Sequence, residues 1–165
     1  MKRILGTSLV VMSLGAFARA DENAKNAAPH SDGAPDRKFG VGLMLGEPTG
    51  ASLKYWLNDT LAIDGGMGWS FQHEANLHLH ADVLWHKFDL FHVEGGQLPL
   101  YFGVGPRLKL RDNREDRFGI RGPVGVSYMF DDLPVDIFLE VAPVIDFTPK
   151  THVEFTAGIG ARYWF

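Results

Sequence analysis

From residue 38 onward, large apolar residues alternate with small or polar ones at a period of two, the spacing that sends successive side chains to opposite faces of a strand. In the first segment Phe39, Val41, Leu43 and Leu45 alternate with Gly40, Gly42, Met44 and Gly46. Glu47-Pro48-Thr49-Gly50 reads as a turn, and Ala51, Leu53, Tyr55 and Leu57 then oppose Ser52, Lys54 and Trp56. The same alternation recurs over residues 61–71, 77–86, 98–109, 118–130, 135–147 and 153–165, which predicts eight strands. Proline lacks a ladder donor. Pro106, Pro123 and Pro143 fall at nearly one level on three neighbouring strands and predict bulges or a bent patch there.

Alternation alone does not separate a soluble barrel, apolar inside, from a membrane barrel, apolar outside. The second face decides. It carries Gly40, Gly42, Gly66, Gly68, Gly103, Gly105, Gly119, Gly125, Gly158 and Gly160 interleaved with charges. Small residues suit the crowded bore of a narrow barrel better than a soluble exterior. Most segments reach the length of about 9 to 11 residues that a tilted membrane strand needs. In hydrocarbon every backbone N–H and C=O must pair, so the sheet must close. The predicted fold is therefore all-β, an eight-stranded antiparallel up-and-down transmembrane barrel over residues 38–165.

Residues 1–20 carry Lys2 and Arg3, an apolar run from Ile4 to Phe17 and then Ala18-Arg19-Ala20, which reads as a cleaved signal peptide. Residues 21–37, rich in Ala, Asn, Asp and Pro, read as a disordered periplasmic leader. The expected location is a bacterial outer membrane, reached by export. Loss of the three basic residues in the signal takes the formal charge from −4 to −7, the wrong sign for a nucleic-acid partner. The sequence contains no cysteine, so disulfides, thiolate metal sites, a catalytic thiol and a lipoprotein anchor are excluded. No cofactor is implied.

Two belts of aromatic residues are expected if the chain starts on the periplasmic side: Phe39, Tyr55, Trp85, Phe130, Tyr163 and Phe165 at one rim, and Trp69, Phe71, Phe118 and Phe147 at the other. Ile159, Ala161, Tyr163 and the last residue, Phe165, resemble the signal by which outer-membrane barrels are recognised for assembly. The stretch from Phe39 to Phe165 resembles the OmpA transmembrane-domain and OmpX-like class of eight-stranded barrels. More narrowly, Gly46-Glu47-Pro48-Thr49-Gly50 followed by Lys54-Tyr55-Trp56, and the run from Pro134 to Pro143, resemble a bacterial family of outer-membrane barrels without established catalytic residues. The resemblance implies contact with outer-membrane lipids, passage through the barrel-assembly machinery and a monomeric state. Short outer loops set this chain apart from the commoner small barrels.

The alternation points Lys54, Arg107, Lys109, Arg121 and Arg162 inward together with Asp64, Asp82, Asp136, Glu140, Asp146 and Glu154. Unpaired charge in a dry bore costs several kcal/mol, so these groups should pair or hold water. Short turns place Asp136 near Arg162. They also put Arg107 opposite Arg121, a repulsive pair for which Glu140 and Glu154 are the candidate carboxylates.

His78, His80 and His86 share a face with Asp82, and alternate histidines can share a metal. A polar bore tolerates histidine, and the structural reading is preferred. Ser127, and Ser70 with His73 and Glu74, are the serines available to a lipid-modifying hydrolase, but no spacing matches a nucleophile motif. The expected function is a non-enzymatic, envelope-stabilising barrel with a charge-filled lumen. A narrow pore for ions or small solutes is second, and a lipid-modifying enzyme third.

Overall fold

A computed structural model describes residues 33–70, 76–111 and 115–165. The expected signal peptide, most of the leader, Phe71, His73 and Glu74 lie outside the described residues. The strands are β1 (Phe39–Gly46), β2 (Thr49–Trp56), β3 (Leu61–Ser70), β4 (Asn76–Lys87), β5 (His92–Val93), β6 (Gly96–Gln97), β7 (Leu100–Arg111), β8 (Arg117–Arg121), β9 (Val124–Phe130), β10 (Val135–Thr148) and β11 (His152–Trp164). No helix occurs among the described residues.

Pairing is antiparallel throughout, and β11 returns to β1 from Gly40↔Trp164 to Gly46↔Gly158, so the sheet closes on itself. β8 and β9 form a single stave, because both pair with β10 in one register, Val144↔Arg121 and Val141↔Val124. The barrel thus has eight staves, β1, β2, β3, β4, β7, β8–β9, β10 and β11. The β5–β6 hairpin is an addition at one end, where Gly96 pairs with Phe130.

Burial follows the period-two pattern: along β10, Ile137, Leu139, Val141, Ile145 and Phe147 are exposed while Asp136, Glu140, Ala142 and Asp146 are buried. The exposed residues are apolar and the buried ones largely ionisable, the reverse of a water-soluble barrel.

Of the two outcomes expected at the prolines, the bulges do not occur. No bulge forms at Pro106, Pro123 or Pro143; β10 keeps an unbroken register with β11 through Pro143↔Phe155, and Pro106 lies opposite Ile120. The prolines lose a donor but keep an acceptor, and the carbonyls of Pro143 and Pro123 accept from Gly122 N (2.9 Å) and Gly103 N (2.8 Å). Ladder pairing lapses at Gly122-Pro123 and, between β4 and β7, at the two rungs beside Gly105 and Pro106, without a change of register. The register shift found in this region lies between Asp146 and Thr148, opposite Phe118 and Gly119.

Part of the expected leader is tied to the rim. Ala34 N donates to Asp59 O (3.0 Å) and Arg37 Nη1 to Trp164 O (3.0 Å), so a carbonyl of the β2–β3 turn and one at the end of β11 find partners in the incoming chain.

Several inward glycines are fixed by space. A Cβ on Gly42 would run into the carbonyl of Ala161, and one on Gly50 into the backbone of Met67 and Gly68. Because the obstructing atoms are ladder backbone, Gly42→Ala is expected to cost about 1–3 kcal/mol, as overpacking does. Urea unfolding in lipid vesicles measures it, and Gly65→Ala, where the nearest atom is an ordinary 3.5 Å away, is the control expected to change stability far less.

Candidate functional site

The bore is the site, and its residues arrive from every stave. At the end bearing the β1–β2, β7–β8 and β10–β11 connections, Arg107 bonds Glu154 and lies 3.5 Å from Asp146 Oδ1. Arg117 reaches the same two carboxylates at 3.5 and 3.6 Å. Lys109, half-buried, has its Cα opposite His78 and Arg117. Deeper in, Arg121 bonds Glu140 and lies 3.5 Å from Asp82 Oδ2, and the Tyr101 hydroxyl donates to Glu140 Oε2 (3.1 Å).

Toward the other end Arg162 forms a two-pronged pair with Asp136, Nε to Oδ1 at 3.1 Å and Nη2 to Oδ2 at 2.8 Å, and donates its remaining arm to Asp64 Oδ2 at 2.7 Å. Its guanidinium also lies 4.1 Å from the centre of the Phe138 ring, a favourable cation–π contact. Lys54 shares a rung with Asp64, yet its ammonium donates to His86 Nε2 (2.7 Å) and sits over the rings of Trp56 and Tyr101.

One rung differs from the sequence reading. Arg107 faces Gly119 and Arg121 faces Gly105, so the two arginines are offset by two residues and do not repel across a rung. The β7–β8 ladder ends at Lys109↔Arg117, two residues short of the end of β7. Each head group bonds a carboxylate on another strand, Arg107 to Glu154 on β11 and Arg121 to Glu140 on the neighbouring β10.

Several bore residues escaped the sequence reading. Trp56, Ala62, Phe88, Met129 and Trp164 pack into one cluster at the end where β1 begins and β11 finishes. The Trp56 ring lies 5.9 Å from Phe88 and 6.1 Å from Trp164. These residues close that end with carbon. The alternation already placed Trp56 on the inward face beside Lys54, and Trp164 stands in the same phase on β11 as Arg162, but their convergence with Phe88 and Met129 into one cap was not read. Above the cluster, the void between Pro48, His78, His80, Arg107 and Arg121 has room for about one water.

On the outer surface Phe39, Tyr55, Trp85, Tyr163 and Phe165 are exposed around the carbon-capped end, with Phe130 half-buried. Trp69, Phe118 and Phe147 are exposed at the opposite end. Trp85 stacks on Phe102 across the β4–β7 rung (6.1 Å, 21°).

His78, His80 and His86 do not converge on one point. His86 is engaged by Lys54, and of these three histidines His80 is the one that approaches carboxylates, Asp64 at 3.8 Å and Asp82 at 4.0 Å. Ser127 Oγ is buried without a hydrogen-bond partner, so no base addresses it. Ser70's side chain lies outside the described set.

A closed eight-stranded antiparallel barrel with apolar residues outside and ion pairs inside defines the class: the fold is that of the small outer-membrane barrels. Among solved structures the chain is similar to the N-terminal β-barrel domain of Pseudomonas aeruginosa OprF, with a TM-score of 0.59 and 15% identity over 78% of this chain and 96% of that one. No protein-family model matches the chain, and no curated protein matches it.

Proposed function

We propose that the chain is an exported, monomeric outer-membrane barrel that contributes mechanically to the envelope and does not conduct steadily. The observation that carries this reading is the filled bore: three successive ion-pair clusters above a carbon cap, with the apolar side chains turned outward. Signal cleavage before Asp21 delivers the barrel to the periplasm. Outward-facing Ile159, Ala161, Tyr163 and Phe165 on and beside β11 serve as the assembly signal. The two aromatic belts sit at the lipid headgroups. With the carbon-capped end in the periplasm, the Phe88–Gln97 connection lies there too.

In planar bilayers the protein is expected to give no sustained channel current. Trp56→Ala combined with Phe88→Ala, which removes two members of the cap, is expected to permit measurable events. Sustained current from the unaltered protein would instead favour the narrow-pore reading, which the continuous run of ionised groups along the bore supports.

A further inference from the structure

We propose that Asp64, His80 and Asp82 form a binding site for one divalent transition-metal ion inside the barrel, bridging β3 and β4. A ligand atom from each lies within 4.8 Å of the others. Donors about 2.0 Å from a tetrahedral ion stand about 3.3 Å apart, so side-chain rotation alone closes the set.

Two observations beyond proximity point to a ligand. Asp82 is 1% exposed, and neither of its carboxylate oxygens has a hydrogen-bond partner; Arg121 Nε comes no nearer than 3.5 Å to Oδ2. A buried carboxylate left in that state costs stability unless a cation satisfies it. Moreover, Asp64 and Asp82 stand directly opposite on one rung, where like charges repel.

The surroundings are shaped for these side chains. Gly66, opposite His80, leaves the space its imidazole occupies, and Gly105 leaves room for Asp82 Oδ1; a Cβ at either position would overlap them. Arg162 holds Asp64 through Oδ2, leaving Oδ1 toward His80. This outer-shell bond orients a ligating carboxylate. An imidazole with two carboxylates suits zinc or its first-row neighbours, and three protein ligands leave a position for water.

The untagged full chain, refolded into detergent and freed of metal with chelator, is titrated with zinc chloride by calorimetry. Heat-modifiable gel migration verifies folding of each variant. The expected result is one zinc per chain, with affinity falling at least tenfold in His80→Ala and in Asp82→Asn while His78→Ala binds as the parent does. Zinc-edge X-ray absorption on the unaltered protein gives a reading that needs no variant: one imidazole with oxygen ligands is expected. Absence of saturable binding overturns the proposal. So does binding that survives both ligand variants, or a spectrum showing two or more imidazoles, either of which would assign the ion to histidines outside this set.

Discussion

Arg162→Met is expected to destabilise the barrel by about 3–5 kcal/mol, the cost of removing one partner from a buried ion pair. Arg162 is 2% exposed and is the shared cation of two carboxylates, Asp136 at 0% and Asp64 at 6% exposure. Methionine fills much of the volume, so the loss is electrostatic. Arg162→Lys keeps the charge but cannot reproduce a planar fork serving Asp136 with two bonds and Asp64 with a third, and an intermediate loss is expected. Adding Asp136→Leu to Arg162→Met removes one of the two orphaned carboxylates and should recover part of the deficit. Urea unfolding in vesicles, read by tryptophan fluorescence, supplies all three values. A loss under about 1 kcal/mol for Arg162→Met would mean that water enters the bore and screens the pair.

The second large effect lies on the outer face. Val141 is exposed near the middle of β10, its Cα opposite Ala157 and Val124. Val141→Arg is expected to cost about 2–4 kcal/mol in a bilayer, because the charge must sit at hydrocarbon depth. Val153→Arg, one residue inside the end of β11 and equally outward, should cost about 0–1 kcal/mol, since depth governs the penalty. On a barrel standing in water both substitutions would be nearly neutral. The difference between the two positions, measured by the same unfolding assay, is therefore a measure of depth rather than of packing.

Much of this was legible in the chain. Period-two alternation from Phe39 to Phe165 dictates which face each residue takes, because a strand has no other choice once its neighbours are paired. The Asp136–Arg162 rung could be read from a short turn for the same reason. What was hidden depended on distance across the bore or on turn geometry. The offset between Arg107 and Arg121 depends on which residues form the last rung of the β7–β8 ladder, Lys109↔Arg117, which composition does not specify. The prolines were misjudged because a lost donor was treated as a lost rung, whereas the carbonyls of Pro123 and Pro143 still accept.

The cap of Trp56, Phe88, Met129 and Trp164 was hidden although Trp56 was placed inward, because its members come from separate strands and a connection and meet only across the bore. His80 between Asp64 and Asp82 was hidden for a different reason: the second carboxylate comes from the neighbouring strand, and cross-strand register was needed to bring it there.

The reversal of faces, apolar outward and ionised inward, is what places the barrel in a membrane and the ion pairs in its bore. The absence of native cysteine permits a direct test by single spin labels at Ile137→Cys, Leu139→Cys, Val141→Cys and Ile145→Cys in vesicles. Oxygen, concentrated in hydrocarbon, should relax these labels more strongly than a water-soluble nickel chelate, most of all at positions 139 and 141. Stronger relaxation by the nickel chelate at positions 139 and 141 would contradict the account.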